Sequence, residues 1–353
     1  MFMSMNDSIN EVMNDTQKEL GNGIINRILE ENKDYGRSNY GNGNRINIVY
    51  STIGDVNTII GDSLSRIISF MGYNVTREYF AVDDNIDRIK NYLDGFRVNF
   101  DVFTTKKSLC DDGIVDKTLL LLQKSDKCYI HDDALWLKTG NVFDTTDRML
   151  VDSDGFYTDL LEVISYHVDR FNRGNDILID VIKKDDKDFI SALKSGIEIA
   201  GYDFKKVGVI VIDNETFDSE IIDKMNVNAL RYFVLSKLDM IVATERMAYI
   251  DSVNTKMCKI IRNKTGIIDD KSGTIDNDTA YTILNKLVEF EKIVKKSSSG
   301  KLDIICDYLY DLACFSYKYY NEEDKVNYNL IEAIIIVMNN ASDILGLILR
   351  EKI

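Results

Sequence analysis

Ile46-Asn47-Ile48-Val49-Tyr50-Ser51-Thr52-Ile53-Gly54-Asp55-Val56-Asn57-Thr58-Ile59-Ile60-Gly61-Asp62 sets a β-branched run just ahead of a stretch with helical spacing. Residues 46–50 read as a buried strand and residues 57–71 as the helix after it. Similar runs recur at 177–182 and 207–212, with a helical pattern at 187–200 between them. Strands that alternate with helices of this length imply βαβ units, hence an α/β fold on a parallel sheet. From about residue 228 onward every pattern is helical. Apolar residues at three- and four-residue spacing mark 247–262, 278–296, 302–320 and 327–349, and Ser297-Ser298-Ser299-Gly300 is a turn between two of these stretches.

At 353 residues, 45% hydrophobic and 29% charged, the chain can bury large cores and suggests two domains. The expected division is a lead segment with one helix at 1–45, an α/β domain at 46–227 and an all-α domain at 228–353. Five cysteines, Cys110, Cys128, Cys258, Cys306 and Cys314, form no C-x-x-C pair, and their odd number argues against a disulfide framework. This usage suits a reduced cytoplasm. No apolar run reaches the roughly 18 residues of a membrane span, and the acidic N-terminus lacks the basic and apolar regions of a signal peptide. Residues 333–338 read as a buried helix face that ends at Asn339 and Asn340.

Proline is absent. At a usual share of about 5%, roughly 18 would be expected. Proline fixes φ and marks turns and strand edges, so a mixed fold of this size ordinarily uses it. Drift after loss of a proline-rich loop is one explanation. Selection for synthesis without prolyl-tRNA, as a protein needed under proline limitation would require, is the other. Restoring proline at several turn positions is expected to reduce accumulation in proline-starved cells; unchanged accumulation removes that explanation.

Short motifs succeed one another along the chain. Tyr35-Gly36-Arg37-Ser38, Gly41 and Gly43 lead into the first strand, and Thr58-Ile59-Ile60-Gly61-Asp62 comes after it. Phe70-Met71-Gly72-Tyr73-Asn74-Val75-Thr76-Arg77-Glu78, residues 101–113, Ala134-Leu135-Trp136-Leu137-Lys138-Thr139, Asp147-Arg148-Met149-Leu150 and Ser153-Asp154-Gly155 come next. Tyr166-His167, Asn228-Ala229-Leu230-Arg231-Tyr232-Phe233, Tyr308-Leu309-Tyr310-Asp311-Leu312-Ala313 and Tyr319-Tyr320-Asn321 complete the series. In this order they resemble the class I arginyl-tRNA synthetase family from about residue 24 to the last residue. The resemblance implies a Rossmann-like nucleotide fold with an all-α anticodon-binding-type bundle after it, and arginine–tRNA ligation as the family activity.

The departures fall where the family's chemistry sits. Its first strand runs into a Ser-Pro-Asn-rich loop and His-x-Gly-His, which hold ATP. Here the corresponding positions are Ser51, Thr52, Ile53 and Gly54, with Tyr50 directly before them, and the chain's two histidines are His131 and His167. The second family signature, Lys-Met-Ser-Lys, supplies a lysine that stabilises charge on the transferring phosphates. Here Val211-Ile212-Asp213-Asn214 passes almost at once into Ile221-Ile222-Asp223-Lys224, and Lys224-Met225 is a false echo. Lys183-Lys184-Asp185-Asp186 replaces a glycine-containing nucleotide turn and so gives up the close backbone approach that glycine allows. Val49 stands where the family has an acid that meets the substrate guanidinium. Asp159 and Val163 replace its Tyr and Asp, and Val82 replaces its Asn. A guanidinium buried without a carboxylate costs several kcal/mol. The resemblance with these losses implies a truncated, catalytically degenerate paralogue, with no catalytic residue, cofactor or metal expected.

Binding of tRNA is a separate question. The net charge of −15 and pI near 4.7 oppose non-specific phosphate binding. A local basic set nonetheless lies on or near the first helix of the all-α half: Arg246, Lys256, Lys259, Arg262 and Lys264, with Tyr249 able to stack on an unpaired base. The family's Tyr-Val-Gln-Tyr-Ala-His-Ala-Arg run stands here as Tyr249-Ile250-Asp251-Ser252-Val253-Asn254-Thr255-Lys256 and keeps one Tyr and a basic end. A solvated basic face is the plain alternative. If Arg246, Lys256 and Arg262 line one exposed face with Tyr249, RNA is favoured; if they pair with acidic neighbours, a protein partner is. Asn39 to Arg45 reads as a glycine turn that lacks the P-loop's Lys-Ser/Thr. His167 reads as a packed core residue, and His131-Asp132-Asp133 as a hairpin turn and not a metal site. Three functions therefore stand open: a non-charging tRNA sensor or regulator, a protein-interaction subunit that modulates a partner enzyme, and a residual arginine–tRNA ligase.

Overall fold

Strand β1 (Arg45–Val49) is the central strand of a five-stranded sheet, flanked by β2 (Asn74–Ala81) and β7 (Ile177–Lys183). With β3 (Val102–Thr105) and β8 (Val207–Ile212) the order is β3-β2-β1-β7-β8, and every pairing is parallel. The computed structural model describes residues 19–50, 57–81, 85–140, 142–184, 188–212, 224–263, 277–322 and 326–352. Helices α2 (Thr58–Phe70), α3 (Ile86–Asp94), α4 (Lys106–Asp111), α5 (Ile114–Gln123), α6 (Asp159–Asn172) and α7 (Asp188–Ile199) accompany the sheet. A small antiparallel sheet, β4 (Cys128–His131), β5 (Ala134–Leu137) and β6 (Arg148–Val151), is inserted between α5 and α6. Its first turn is His131-Asp132-Asp133 with both aspartates at positive φ, the backbone a tight hairpin needs, as the sequence predicts.

The chain divides into two compact units, one holding residues 39–219 and the other combining the residues before 39 with those from 220 on. The expected lead segment is thus not a separate body: its residues up to 38 go with the helical unit and residues 39–45 with the α/β unit. Helix α1 occupies residues 19–31, and after it Tyr35 donates its hydroxyl hydrogen to the Leu287 carbonyl while Asn340 donates to the carbonyls of Asn32 and Tyr35. The rest of this unit is α8 (Val227–Ser236), α9 (Met240–Arg262), α10 (Asp278–Ser297), α11 (Asp303–Glu322) and α12 (Tyr328–Leu345). Four of these helices start without proline in the same way. Asn226, Asp239, Asn277 and Asn327 each accept the backbone N–H three residues on, which satisfies an otherwise orphaned donor.

The Thr58-Ile59-Ile60-Gly61-Asp62 motif has a structural reason. Asp62 is fully buried and accepts from Arg66 Nε at 2.8 Å, and Gly61 lies against the buried ring of Tyr50. A Cβ at Gly61 would sit 2.1 Å from Tyr50 Cγ, in a ring already packed on Phe100 at 4.4 Å between centroids. Alanine favours a helix over glycine by about 1 kcal/mol, but overpacking costs about 1–3 kcal/mol or more. Gly61→Ala is therefore expected to lower the urea midpoint of the α/β unit; a raised midpoint would mean that the ring moves aside freely.

Candidate functional site

The helical unit carries a groove of about 480 Å³ built on α9 and the chain's last residues. Asn228 and Arg231, in the Asn-Ala-Leu-Arg motif of α8, hold those residues in place. Asn228 exchanges two hydrogen bonds with the Ile348 backbone, and the fully buried Arg231 donates to the Leu345 carbonyl at 2.9 Å. Gly346 ends α12 at φ +68°, and a Cβ there would meet the Arg231 guanidinium at 2.2 Å, so only glycine suits both backbone and neighbour. Helix α9 fastens the chain beyond Leu349. Asn254 and Thr255 donate to the Arg350 carbonyl, Asp251 accepts the Arg350 N–H, and Arg262 donates to the Glu351 carbonyl at 2.7 Å.

This stapling brings Lys256, Lys259, Arg350 and Lys352 to one groove, with Asp251 as the acid among them. Burial pushes the Asp251 carboxyl up, against the hydrogen bond and charge of Arg350. Lys256, Lys259 and Lys352 are exposed and have no ion-pair partner among the described residues. Four cations thus converge on one groove of an acidic protein, with Arg350 Nε 3.7 Å from Asp251, and such a set raises the local concentration of anions.

The basic set read from the sequence, apart from Lys264, which lies outside the described residues, divides three ways. Lys256 and Lys259 line the groove. Arg262 spends its guanidinium on the Glu351 carbonyl and acts as a positioning group. Arg246 pairs with Asp307 at 2.8 Å and lies over the Tyr310 ring at 4.4 Å. Tyr249 joins that flank, with Tyr310 and Tyr317 rings 5.8 and 5.9 Å away, and burial among these neighbours pushes its hydroxyl up to about 12. Sequence reading missed Arg350 and Lys352, although the basic run Arg350-Glu351-Lys352 was there to be noticed.

The α/β unit has a cavity of about 660 Å³ where the strand order reverses between β1 and β7. Ligands of open α/β sheets bind at such a point. Val49, paired in register with Glu78 and Asp180, and Val163 both line it, so two positions where the family resemblance implies acids meet at one wall. Asp159 is exposed and pairs with Lys106 at 2.7 Å. Residues 51–54, 82, 185–186 and 213–223, which stand in place of other family features, lie outside the described residues, as do 1–18 of the lead segment.

Beneath the cavity runs a buried polar network. Arg170, fully buried, donates from Nε to Asn47 Oδ1 at 2.6 Å, from Nη1 to Asp180 Oδ1 at 2.6 Å and from Nη2 to the Asn47 carbonyl at 3.0 Å. His167 is a packed core residue, as read from the sequence: Nδ1 donates to the Val163 carbonyl and Nε2 faces Asp180 Oδ2 at 2.7 Å. Glu78 accepts from Asn47, Thr104 and Arg173. Burial pushes the Glu78 carboxyl up, but the hydrogen bonds and charge of Arg173 and the Thr104 hydroxyl outweigh it, and the net shift is downward. Among the described residues there is no cluster of His, Cys, Asp and Glu that could hold a metal ion, and no helix is long and apolar enough to cross a membrane.

The DALR anticodon binding domain family matches residues 252–353, the stretch that contains the groove lysines. An arginine–tRNA ligase of Staphylococcus epidermidis is 28% identical over 322 residues, which cover 78% of this chain and 58% of that protein. The chain thus spans less than two thirds of that relative's length. An arginine–tRNA ligase of Staphylococcus aureus is 25% identical over 452 aligned residues, covering 93% of this chain and 82% of that one. An alignment longer than the 353-residue chain means that the S. aureus protein has internal segments without a counterpart here. A structure from Campylobacter jejuni assigned as an arginyl-tRNA synthetase superposes with a TM-score of 0.83 at 18% identity, over 95% of this chain and 100% of that one, a likeness of fold.

Proposed function

We propose that the chain is a member of the arginyl-tRNA synthetase family that binds tRNA without charging it, as a sensor or regulator. The observation that carries the reading is how the chemistry is divided between the two units. The helical unit has a groove with Arg350 and three lysines that have no ion-pair partner among the described residues, inside the anticodon-binding match. The cavity of the α/β unit offers Val49 and Val163 and has Asp180 as its sole acid among the described lining residues, already engaged by Arg170 and His167. The sequence adds that neither ATP signature is encoded, and the unmatched internal segments of the S. aureus relative agree with a lost loop. The absence of proline links this role to conditions of proline limitation.

The test is to crosslink the tagged protein in its own cells and sequence the bound RNA beside a Lys256→Ala/Lys259→Ala/Lys352→Ala variant. Enrichment of one tRNA family, lost in the variant, is expected, together with arginine-dependent pyrophosphate exchange into ATP no higher than background. Exchange above background would restore the ligase reading. No RNA enrichment would overturn the tRNA reading and favour the protein-interaction subunit, which has its own support in the Arg246–Asp307 pair and in Ile130 and Phe156, 77% and 69% exposed.

A further inference from the structure

We propose that the cavity at the β1/β7 switch point is a binding site for an uncharged, largely apolar small molecule. Its volume of about 660 Å³ falls within the range of small-molecule sites. Its walls are chiefly aliphatic and aromatic: Val49 from β1, Phe80 from β2, Val163 from α6, Ile182 from β7, and Phe189 and Leu193 from α7. The charged groups among its described lining residues are already engaged. Asp180 gives one oxygen to Arg170 Nη1 at 2.6 Å and the other to His167 Nε2 at 2.7 Å, and Arg148 is held by both oxygens of Asp144 at 2.6 and 3.2 Å. Among the described lining residues a cationic ligand would give up its hydration and meet no free carboxylate, which is unfavourable. An apolar ligand would take its surface out of water against residues that have nothing to lose by covering it. The position of the cavity is that of a ligand site, and its lining has the chemistry for a neutral one.

This inference does not depend on RNA binding, and its test reads no RNA. Full-length protein with ¹³C-labelled methyl groups is titrated with indole as the neutral probe and with L-arginine as the cationic one. Saturable indole shifts centred on the methyls of Val49, Val163 and Leu193 are expected, with no saturable shift from L-arginine. Val163→Phe, which fills the space, is expected to weaken indole binding at least tenfold. Val163→Asp is expected to weaken indole binding and to let L-arginine shift the Val49 and Leu193 methyls. Indole shifts that never saturate, or L-arginine saturating the same methyls in the unmodified protein, would overturn the proposal. Either titration of the unmodified protein decides it even where a variant fails to fold.

Discussion

Arg170→Met is expected to destabilise the α/β unit by about 3–5 kcal/mol, the usual range for breaking a buried ion pair from one side. Arg170 spans β1 and β7 through the Asn47 side chain, the carbonyls of Asn47 and Ile179, and the Asp180 carboxylate. Removing it strands the carboxylate in a site where only His167 remains as a partner, and leaves two strand carbonyls with fewer donors. The companion change Asp180→Asn made together with Arg170→Met is expected to cost less than the two single changes summed, because no charge is then left unmatched. Urea unfolding monitored through Trp136, the chain's single tryptophan and a β5 residue of this unit, measures both. A loss below about 1 kcal/mol for Arg170→Met would show the network to be water-compensated.

The same network sets the response to acid. Burial pushes the Asp180 carboxyl up, but the charges of His167 and Arg170 and their hydrogen bonds prevail and hold it far below the ordinary carboxylate range. A folded-state value below the unfolded one contributes stability that is present above roughly pH 4 and is lost as pH falls toward the folded value. Glu78, also lowered, acts in the same direction. Stability of the α/β unit should therefore fall on acidification below about pH 4, and Asp180→Asn should flatten that fall while lowering stability at neutral pH.

Replacing Lys256, Lys259 and Lys352 together by alanine is expected to lower tRNA affinity about 10- to 100-fold near 0.15 M salt. The slope of log affinity against log salt should shrink by about 2, at roughly 0.7 per single-strand phosphate contact removed. Arg246→Ala is the internal control. Its guanidinium is engaged by Asp307 and Tyr310, so its loss should change the slope little. Fluorescence anisotropy at several salt concentrations gives both numbers. An equal slope change for Arg246→Ala would move the interface to the tyrosine flank of α9.

Much of the architecture was legible in order and type. The runs at 177–182 and 207–212 are β7 and β8, and the helical patterns from 278 and 302 are α10 and α11, because periodicities of two and 3.6 report which face is buried. The pattern read from residue 247 begins seven residues late, since α9 starts at Met240 behind the cap of Asp239. Residues 19–38 of the lead segment read as separate pack with the helical unit through Tyr35, Gly36 and Asn340, contacts between residues some 250–300 positions apart that no local pattern encodes. Of the basic set, the sequence identified cations but not their uses.

What the sequence determined by itself is the α/β-then-all-α order and the resemblance to arginine–tRNA ligases, both properties of residue type and spacing. Which charges remain available was decided only by tertiary structure. Arg246 meets Asp307, 61 positions away, Arg262 meets the Glu351 carbonyl, and Lys256 and Lys259 are joined by Arg350 and Lys352 because α8 and α9 bind the last residues to the groove. A charge is free or spent according to what lies within about 4 Å of it, and that distance is set by packing between segments far apart in the chain.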